Sequence, residues 1–380
     1  VDVLRTRHSG TFALRGPGVR ETREQTMAYD RLDALAARVR IRVDSGATTT
    51  SEDGHPEDDA REEPTVGSSS SERRGGDDDD DDGENFSPEE PPRALLFSAH
   101  VDTVHVSPGG CDNAANVAIV LETFRAFSLG LAARRRSAST DARVSSSNRT
   151  LPTTGEITPL VAMFVSAEED GFMGARGVVR DHPWFIKHVA AFVNFEAMGS
   201  GGPHRAFRAT RGGSSSELLR LYAKGAKGAK KPSGTVVASD VFSSGFIKSD
   251  TDFRVFRDDG DVPGIDLAFV EKTRVYHTPR DTLDELVKRR PGSMQASGSN
   301  ALGLARAFLE RSVTETDEKI NLKIQPGGVS TTSPGDVRRG AKNDETKKTV
   351  SKPPLTVWFD FPVLGAFVLF DVDGTQVAVA

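Results

Sequence analysis

The sequence has a single cysteine, Cys111, so no disulfide can close within the chain. That withholds the usual mark of a secretory compartment without excluding one. No apolar run reaches the roughly 18 residues a lone membrane span requires. No basic-then-apolar leader precedes Val1, which reads as a fragment or a processed chain. The basic stretches, "RRRSASTDARVSSSNRT" and "KGAKGAKK", lack interleaved aromatics, so nucleic acid is not an expected partner.

What is present is unevenly spread. The 380 residues are 36% hydrophobic and 27% charged, enough for one large α/β domain or two ordinary ones with much of the chain left wet. Residues 51–92 hold 17 Asp or Glu against 3 Arg, a net −14, whereas the whole chain carries −6, so the remainder is near +8. Six of those acids run consecutively from Asp77 to Asp82. Such a tract buries too little apolar surface to order itself. The expected organisation is an N-terminal helical part at 1–45 and a disordered acidic insertion at 46–92. A core follows at 93–315 with a polar insertion at 133–156, then a linker at 316–353 and an apolar C-terminal segment at 354–380.

Within the core a rhythm repeats. Continuous apolar runs at 94–99, 159–166, 189–195 and 265–270 read as strands buried on both faces. Helical patterns fall between them at 114–129, 173–180, 215–224 and 297–312, and another at 20–40. Strands alternating with helices imply an α/β fold, a mostly parallel central sheet flanked by helices on both faces. Ligands of such sheets gather at the carboxyl ends of the strands.

That is where the reactive side chains fall. The first strand ends in His100-Val-Asp102, with Asp112 ten residues on; the second ends in Glu168-Glu169. The third ends at Glu196, and after the fourth comes His277 in "VYHTPRDT". Each has an ordinary alternative: Asp112 as a helix N-cap, the paired glutamates as a solvated helix start, His277 as a strand terminator. Accident does not explain all of them on one edge. Imidazoles and carboxylates in this mix suit Zn²⁺, and a carboxylate-rich set can hold two ions with one carboxylate bridging.

In that order, His-x-Asp, Asp, Glu-Glu, Glu and His, the chain resembles the M28 family of zinc exopeptidases. "VFSSGFIKSDTDFRVFRDDGDVPGIDLAFVEKTRVYHTPRDTLDEL" (241–286), "DHPW" (181–184) and "FVNFEAMGSGG" (192–202) are similar to its endoplasmic reticulum metallopeptidase subgroup. The resemblance implies the zinc exopeptidase α/β/α fold with two Zn²⁺ ions bridged by Asp112. His100 and Glu196 would complete one ligand set, Glu169 and His277 the other. It implies Glu168 as general base and Asp102 as the carboxylate behind His100; His105 and Cys111 are left as non-ligands. Thr251, Asp252 and Arg254 are candidates for gripping a peptide terminus, with a structural hydrogen-bond role as the equal alternative. Many M28 enzymes carry Asp where Glu196 stands, as the subgroup does not, and the strand that normally precedes 94–99 is not evident.

The implied activity is a zinc-dependent exopeptidase, foremost an aminopeptidase, acting on peptides. Glutaminyl cyclisation on one zinc and a metal-free receptor or scaffold are the alternatives. The subgroup implies an endoplasmic reticulum membrane protein with this domain in the lumen, and "VWFDFPVLGAFVLFDV" (357–372) resembles the start of its membrane half. Asn85-Phe-Ser87 and Asn148-Arg-Thr150 fit glycosylation sequons.

Overall fold

The computed structural model describes residues 2–14, 25–43, 94–140, 155–182, 188–226, 232–244, 246–247, 249–289, 291–314, 356–361, 366–371 and 377–379. β1 (Asp2–Leu14) and β2 (Gln25–Val43) open the chain, followed by β3 (Ala94–His100), a π-helical turn (Gly110–Ala115), α1 (Asn116–Thr140) and β4 (Gly155–Val165). Next come α2 (Met173–Asp181), β5 (Val189–Ala197), β6 (His204–Ala209), α3 (Gly213–Gly225), β7 (Ser233–Gly234), α4 (Val236–Ser243) and α5 (Asp252–Asp258). β8 (Gly264–Phe269), α6 (Leu283–Arg289), α7 (Ser293–Thr314), β9 (Thr356–Phe361), β10 (Ala366–Asp371) and β11 (Val377–Val379) complete it.

The main sheet has eight strands in the order β1-β2-β4-β3-β5-β8-β6-β7. Its centre, β4-β3-β5-β8, is parallel, which sets four strand ends on one edge. β2 runs antiparallel to β4 and β6 antiparallel to β8, so the sheet is mixed. Side chains of successive strand residues point to opposite faces. Along β4, Leu160, Ala162 and Phe164 therefore enter one core, with Ile119, Phe124, Leu219 and Leu304 from α1, α3 and α7. Val161, Met163 and Val165 enter the other, with Val178, Phe253 and Phe256 from α2 and α5. A strand feeding two cores reads as an unbroken apolar run, which is why the four central strands were legible.

Two expectations are corrected. Residues 25–40 are not helical; β1 and β2 form an antiparallel pair on the sheet edge, so the described residues of the N-terminal part, 2–14 and 25–43, are strand. Alanine, leucine and arginine favour a helix there, but "RVRIRV" alternates with a period of two, and β4 has an edge to pair. β2 also supplies the strand that seemed missing before 94–99; it lies ahead of the acidic tract. α2 packs so near β1 that a Cβ on Gly177 would lie 2.6 Å from the Cβ of His8. Beside that contact, His8 spans Asp181 Oδ2 through Nδ1 at 2.9 Å and Thr6 Oγ1 through Nε2 at 2.7 Å.

The apolar C-terminal segment is described in part. Its described residues form a three-stranded antiparallel sheet, β11-β10-β9, docked on the domain. Trp358, Phe367 and Leu369 lie in the larger core, and the Trp358 indole donates to the Ala206 carbonyl at 2.9 Å. Asp360 accepts from Ser233 Oγ at 2.7 Å and Gly234 N at 2.8 Å, while Arg220 pairs with Asp371 at 2.9 Å. The second correction concerns the polar insertion at 133–156: α1 continues to Thr140 and β4 already begins at Gly155. The acidic insertion, the linker and both sequons fall outside the described residues. Among the described residues one helical stretch, Gly110–Arg134, is apolar and long enough by composition to cross a membrane; it packs here against β3, β4 and α7.

Candidate metal centre

The loop after β3 carries the central side chain. Gly109 sits at φ 66°, a conformation open to glycine. A Cβ on Gly110 would lie 2.3 Å from the Leu283 backbone nitrogen, so the π-helical turn lies directly on the start of α6. Asp281, 1% exposed, fastens that turn: Oδ1 accepts from Cys111 N at 2.9 Å and Oδ2 from Asp112 N at 3.1 Å. The Asp112 carboxylate then faces two groups at once. Its Oδ1 is 3.3 Å from His100 Nε2, which is 3.3 Å from Glu196 Oε2. Its Oδ2 is 3.2 Å from His277 Nε2, which is 3.1 Å from Glu169 Oε1. Within each trio, His100-Asp112-Glu196 and Asp112-Glu169-His277, one ligand atom per residue lies within 4.8 Å of the others.

The surrounding contacts orient these groups. His100 Nδ1 donates to the Asp102 backbone carbonyl at 3.0 Å, and the Asp102 carboxylate is farther, at 3.5 Å. That carboxylate instead accepts from Glu168 N at 3.2 Å and Glu169 N at 3.1 Å, holding the turn that carries both glutamates. Asp102 is thus tied to His100 chiefly through its main chain. Ala167, just before the pair, and His277 each sit at φ 56°. Left-handed backbone costs a non-glycine residue of order 1–2 kcal/mol, and such strain concentrates at functional sites. The Ala167 turn is secured by Met173 N donating to the Ala167 carbonyl at 2.9 Å and Gly174 N to Ser166 at 3.0 Å. Asn194 donates to Glu196 Oε1 at 2.9 Å and to Asp266 Oδ1 at 3.2 Å.

Proton affinities follow from crowding like charges in a dry place. Burial and the Glu196 charge push Glu168 well above the usual carboxylate range. Burial and neighbouring Asp112 raise Glu169 to about 7. Hydrogen bonding to Asp112 raises His277. Burial works against the His100 cation, but Glu196, Asp102 and Asp112 together hold it well above its ordinary value. Burial likewise opposes ionisation of Asp112, and the two imidazoles override it.

The residues fit a dication. Five carboxylates, Asp112, Glu168, Glu169, Glu196 and Asp252, meet two imidazoles in this region, and both Asp252 oxygens are buried with no hydrogen-bond partner among the described residues. Nitrogen and carboxylate oxygen donors in open trios are the set zinc accepts. All five expected ligands converge, and Glu168, 6% exposed, belongs to neither trio. His105 is exposed, and Cys111, whose thiol burial pushes up to about 12, also lies in neither.

The candidate substrate grips lie in a hydrogen-bonded cluster, with Thr251 and Asp252 8% and 0% exposed. The Thr251 hydroxyl caps α5 through Phe253 N at 3.3 Å and donates to Asp266 Oδ2 at 2.8 Å. Arg208 binds the same hydroxyl at 2.6 Å and pairs with Asp250 and Asp266. Arg254 Nε lies 3.7 Å from Asp258, along α5. Sequence reasoning missed Asp281, Asn194, Asp266 and Arg208; only the position of Asp281 in "HTPRDT", four residues past His277, hinted at any of them.

Residues 84–303 match the model of Peptidase family M28, more than half of the chain. Endoplasmic reticulum metallopeptidase 1 of Homo sapiens is 35% identical over 213 residues, covering 56% of this chain and 20% of that protein. The vacuolar membrane protease of Sclerotinia sclerotiorum is 37% identical over 187 residues, covering 49% and 14%. The chain thus spans about a fifth or less of the length of these relatives. An aminopeptidase from Aneurinibacillus sp. strain AM-1 superposes at a TM-score of 0.39 and 14% identity, over 76% of this chain and 49% of that one, a likeness too loose to carry an argument. Because the matched residues include every member of both trios, the metal-type donors at the strand ends lie inside the matched region, and the chain belongs to peptidase family M28, a membership that implies zinc.

Proposed function

We propose that this domain is a zinc-dependent exopeptidase that removes residues from the amino end of peptides. The observation that carries the reading is the Asp112 carboxylate, whose two oxygens face two separate imidazole–carboxylate pairs. One zinc would be held by His100, Asp112 and Glu196, the other by Asp112, Glu169 and His277. Bound there, zinc supplies Lewis acidity, favouring deprotonation of water and polarising a carbonyl.

The chain's own groups supply the rest. Glu168 stands beside the trios without joining them, held in place by the Asp102 clasp on its amide. It is the general base: its carboxylate takes the proton of the attacking water and passes it to the leaving amine. Glu169, gripped by the same clasp through its own amide, turns its side chain to His277. Preference for the amino end follows from charge. The centre is rimmed by carboxylates, and Arg208, the buried cation nearby, is spent on Asp250 and Asp266. A peptide ammonium complements such a rim; a peptide carboxylate does not. We place the whole protein in an endoplasmic reticulum membrane with this domain lumenal; the name of the Homo sapiens relative supports the compartment and that of the Sclerotinia sclerotiorum relative a membrane.

The test is a panel of free, N-acetylated and C-amidated peptides. Hydrolysis should be lost on N-acetylation and kept on C-amidation; the reverse pattern would contradict amino-end cleavage.

A further inference from the structure

A hydrogen-bonded chain leads from β6 to the residues that neighbour two of the metal-type donors. His204 Nε2 on β6 lies 2.9 Å from Asn116 Oδ1, Asn116 Nδ2 donates to Asn113 Oδ1 at 2.5 Å, and Asn113 Nδ2 donates to the Phe195 carbonyl at 2.8 Å. Asn113 follows Asp112, and Phe195 precedes Glu196. We propose that His204 is a positioning residue for the metal centre, acting through Asn116 and Asn113 to fix the backbone of Asp112 against that of Glu196. The inference rests on the zinc-centre reading above.

The direction of the chain is determined. A main-chain carbonyl only accepts, so Phe195 oxygen turns the Asn113 amide nitrogen toward it. Asn113 Oδ1 must then accept, Asn116 Nδ2 must donate, and Asn116 Oδ1 is left needing a donor. His204 therefore carries its proton on Nε2. Burial lowers the His204 pKa to about 3, so the ring is neutral with one N–H to give. Among the described residues His204 Nδ1 is buried with no partner, so that N–H is committed to the relay. The ring is held with its centroid 4.0 Å from that of Phe269 and 5.7 Å from that of Phe195. His204, Asn113 and Asn116 are 2%, 1% and 0% exposed, beside the core residues Phe195 and Phe269. Burying polar groups there is costly, and an aromatic hydrocarbon would fill the space at less cost. What phenylalanine lacks is the donor that orients both asparagines.

The test compares His204→Phe with His204→Gln, whose amide N–H can replace the imidazole donor. Zinc affinity is read by competition with a chelator, and the Tm of the metal-free proteins is read alongside. His204→Phe should bind zinc about 10–100-fold more weakly, the scale for groups that orient ligands, and His204→Gln should recover most of it at similar metal-free Tm. Equal zinc affinity in wild type and His204→Phe would overturn the inference, as would a loss that Gln does not recover. Should His204→Phe fail to fold, ¹⁵N spectra of the wild-type histidines decide the matter. An Nε2–H tautomer, unprotonated from pH 6 to 8, is expected; an Nδ1–H tautomer breaks the chain and overturns it. A wild-type chain that takes up no zinc would sink the proposed function instead, and the tautomer still reads the relay without metal.

Discussion

Glu168 and Glu169 are neighbours whose backbone amides share one clasp, Asp102, yet their side chains part company. Glu169 Oε1 reaches His277 at 3.1 Å, and Glu168 lies in neither trio. Their substitutions should therefore fail differently. Glu168→Gln should keep its zinc and lose about 10²–10⁴-fold in turnover, the scale of general-base catalysis. Glu169→Gln should lose zinc as well as rate. Two variants alike in metal and in residual activity would contradict the division, and so would a zinc-depleted Glu168→Gln. The pKa directions give a second outcome. In the metal-free centre Glu169 is raised to about 7, so it is partly protonated near neutral pH, and the imidazoles of His100 and His277 are raised as well. Ligands must give up such protons. Zinc uptake should then release protons, and affinity should fall as pH drops through 7. Calorimetry in two buffers of different ionisation heat must give different apparent enthalpies; identical values would contradict the assignment. At this scale the sequence showed the residues whose own chemistry is unusual at a strand end. It did not show Asp281, Asn113 or Asn194, because a buried amide or carboxylate that orients a partner far away in sequence looks like any loop or strand polar residue.

Among the elements, the legible ones were those whose pattern follows from burial on two faces. β3, β4, β5 and β8 read as continuous runs, and the helices between them followed. The misread ones carry conflicting signals. β2 has helix-favouring alanines and leucines, yet it is decided by the β4 edge it pairs with, and tertiary context overrides propensity in such cases. The C-terminal segment looks like a broken membrane span because β9 and β10 are apolar and close together. In the fold β10 alternates between buried and half-buried residues, as a strand with one face on a core should. If that sheet is integral to the domain, Trp358→Ala should cost about 3–5 kcal/mol, the range for emptying a buried aromatic site, with loss of the indole's bond to Ala206 included. Urea unfolding measures this, and a change below about 1 kcal/mol would show that the sheet is not part of the cooperative core.

For the molecule as a whole, parallel topology does the gathering. Four strands running the same way bring His100, the Glu168–Glu169 turn and Glu196 to one edge. The loop after β8 adds His277, and the turn after β3 sets Asp112 between them. This much was predictable from sequence, because it needs only strand order and polarity. That one carboxylate faces both trios was not derivable from spacing, since it depends on how Asp281 pins the turn onto α6. The central claim is therefore the shared bridge, and zinc counted per chain tests it most directly. Protein loaded with zinc and freed of excess should carry two ions per chain, and Asp112→Ala, which removes a ligand from both trios, should carry close to none. One ion in the wild type, or one fully retained in Asp112→Ala, would contradict the account.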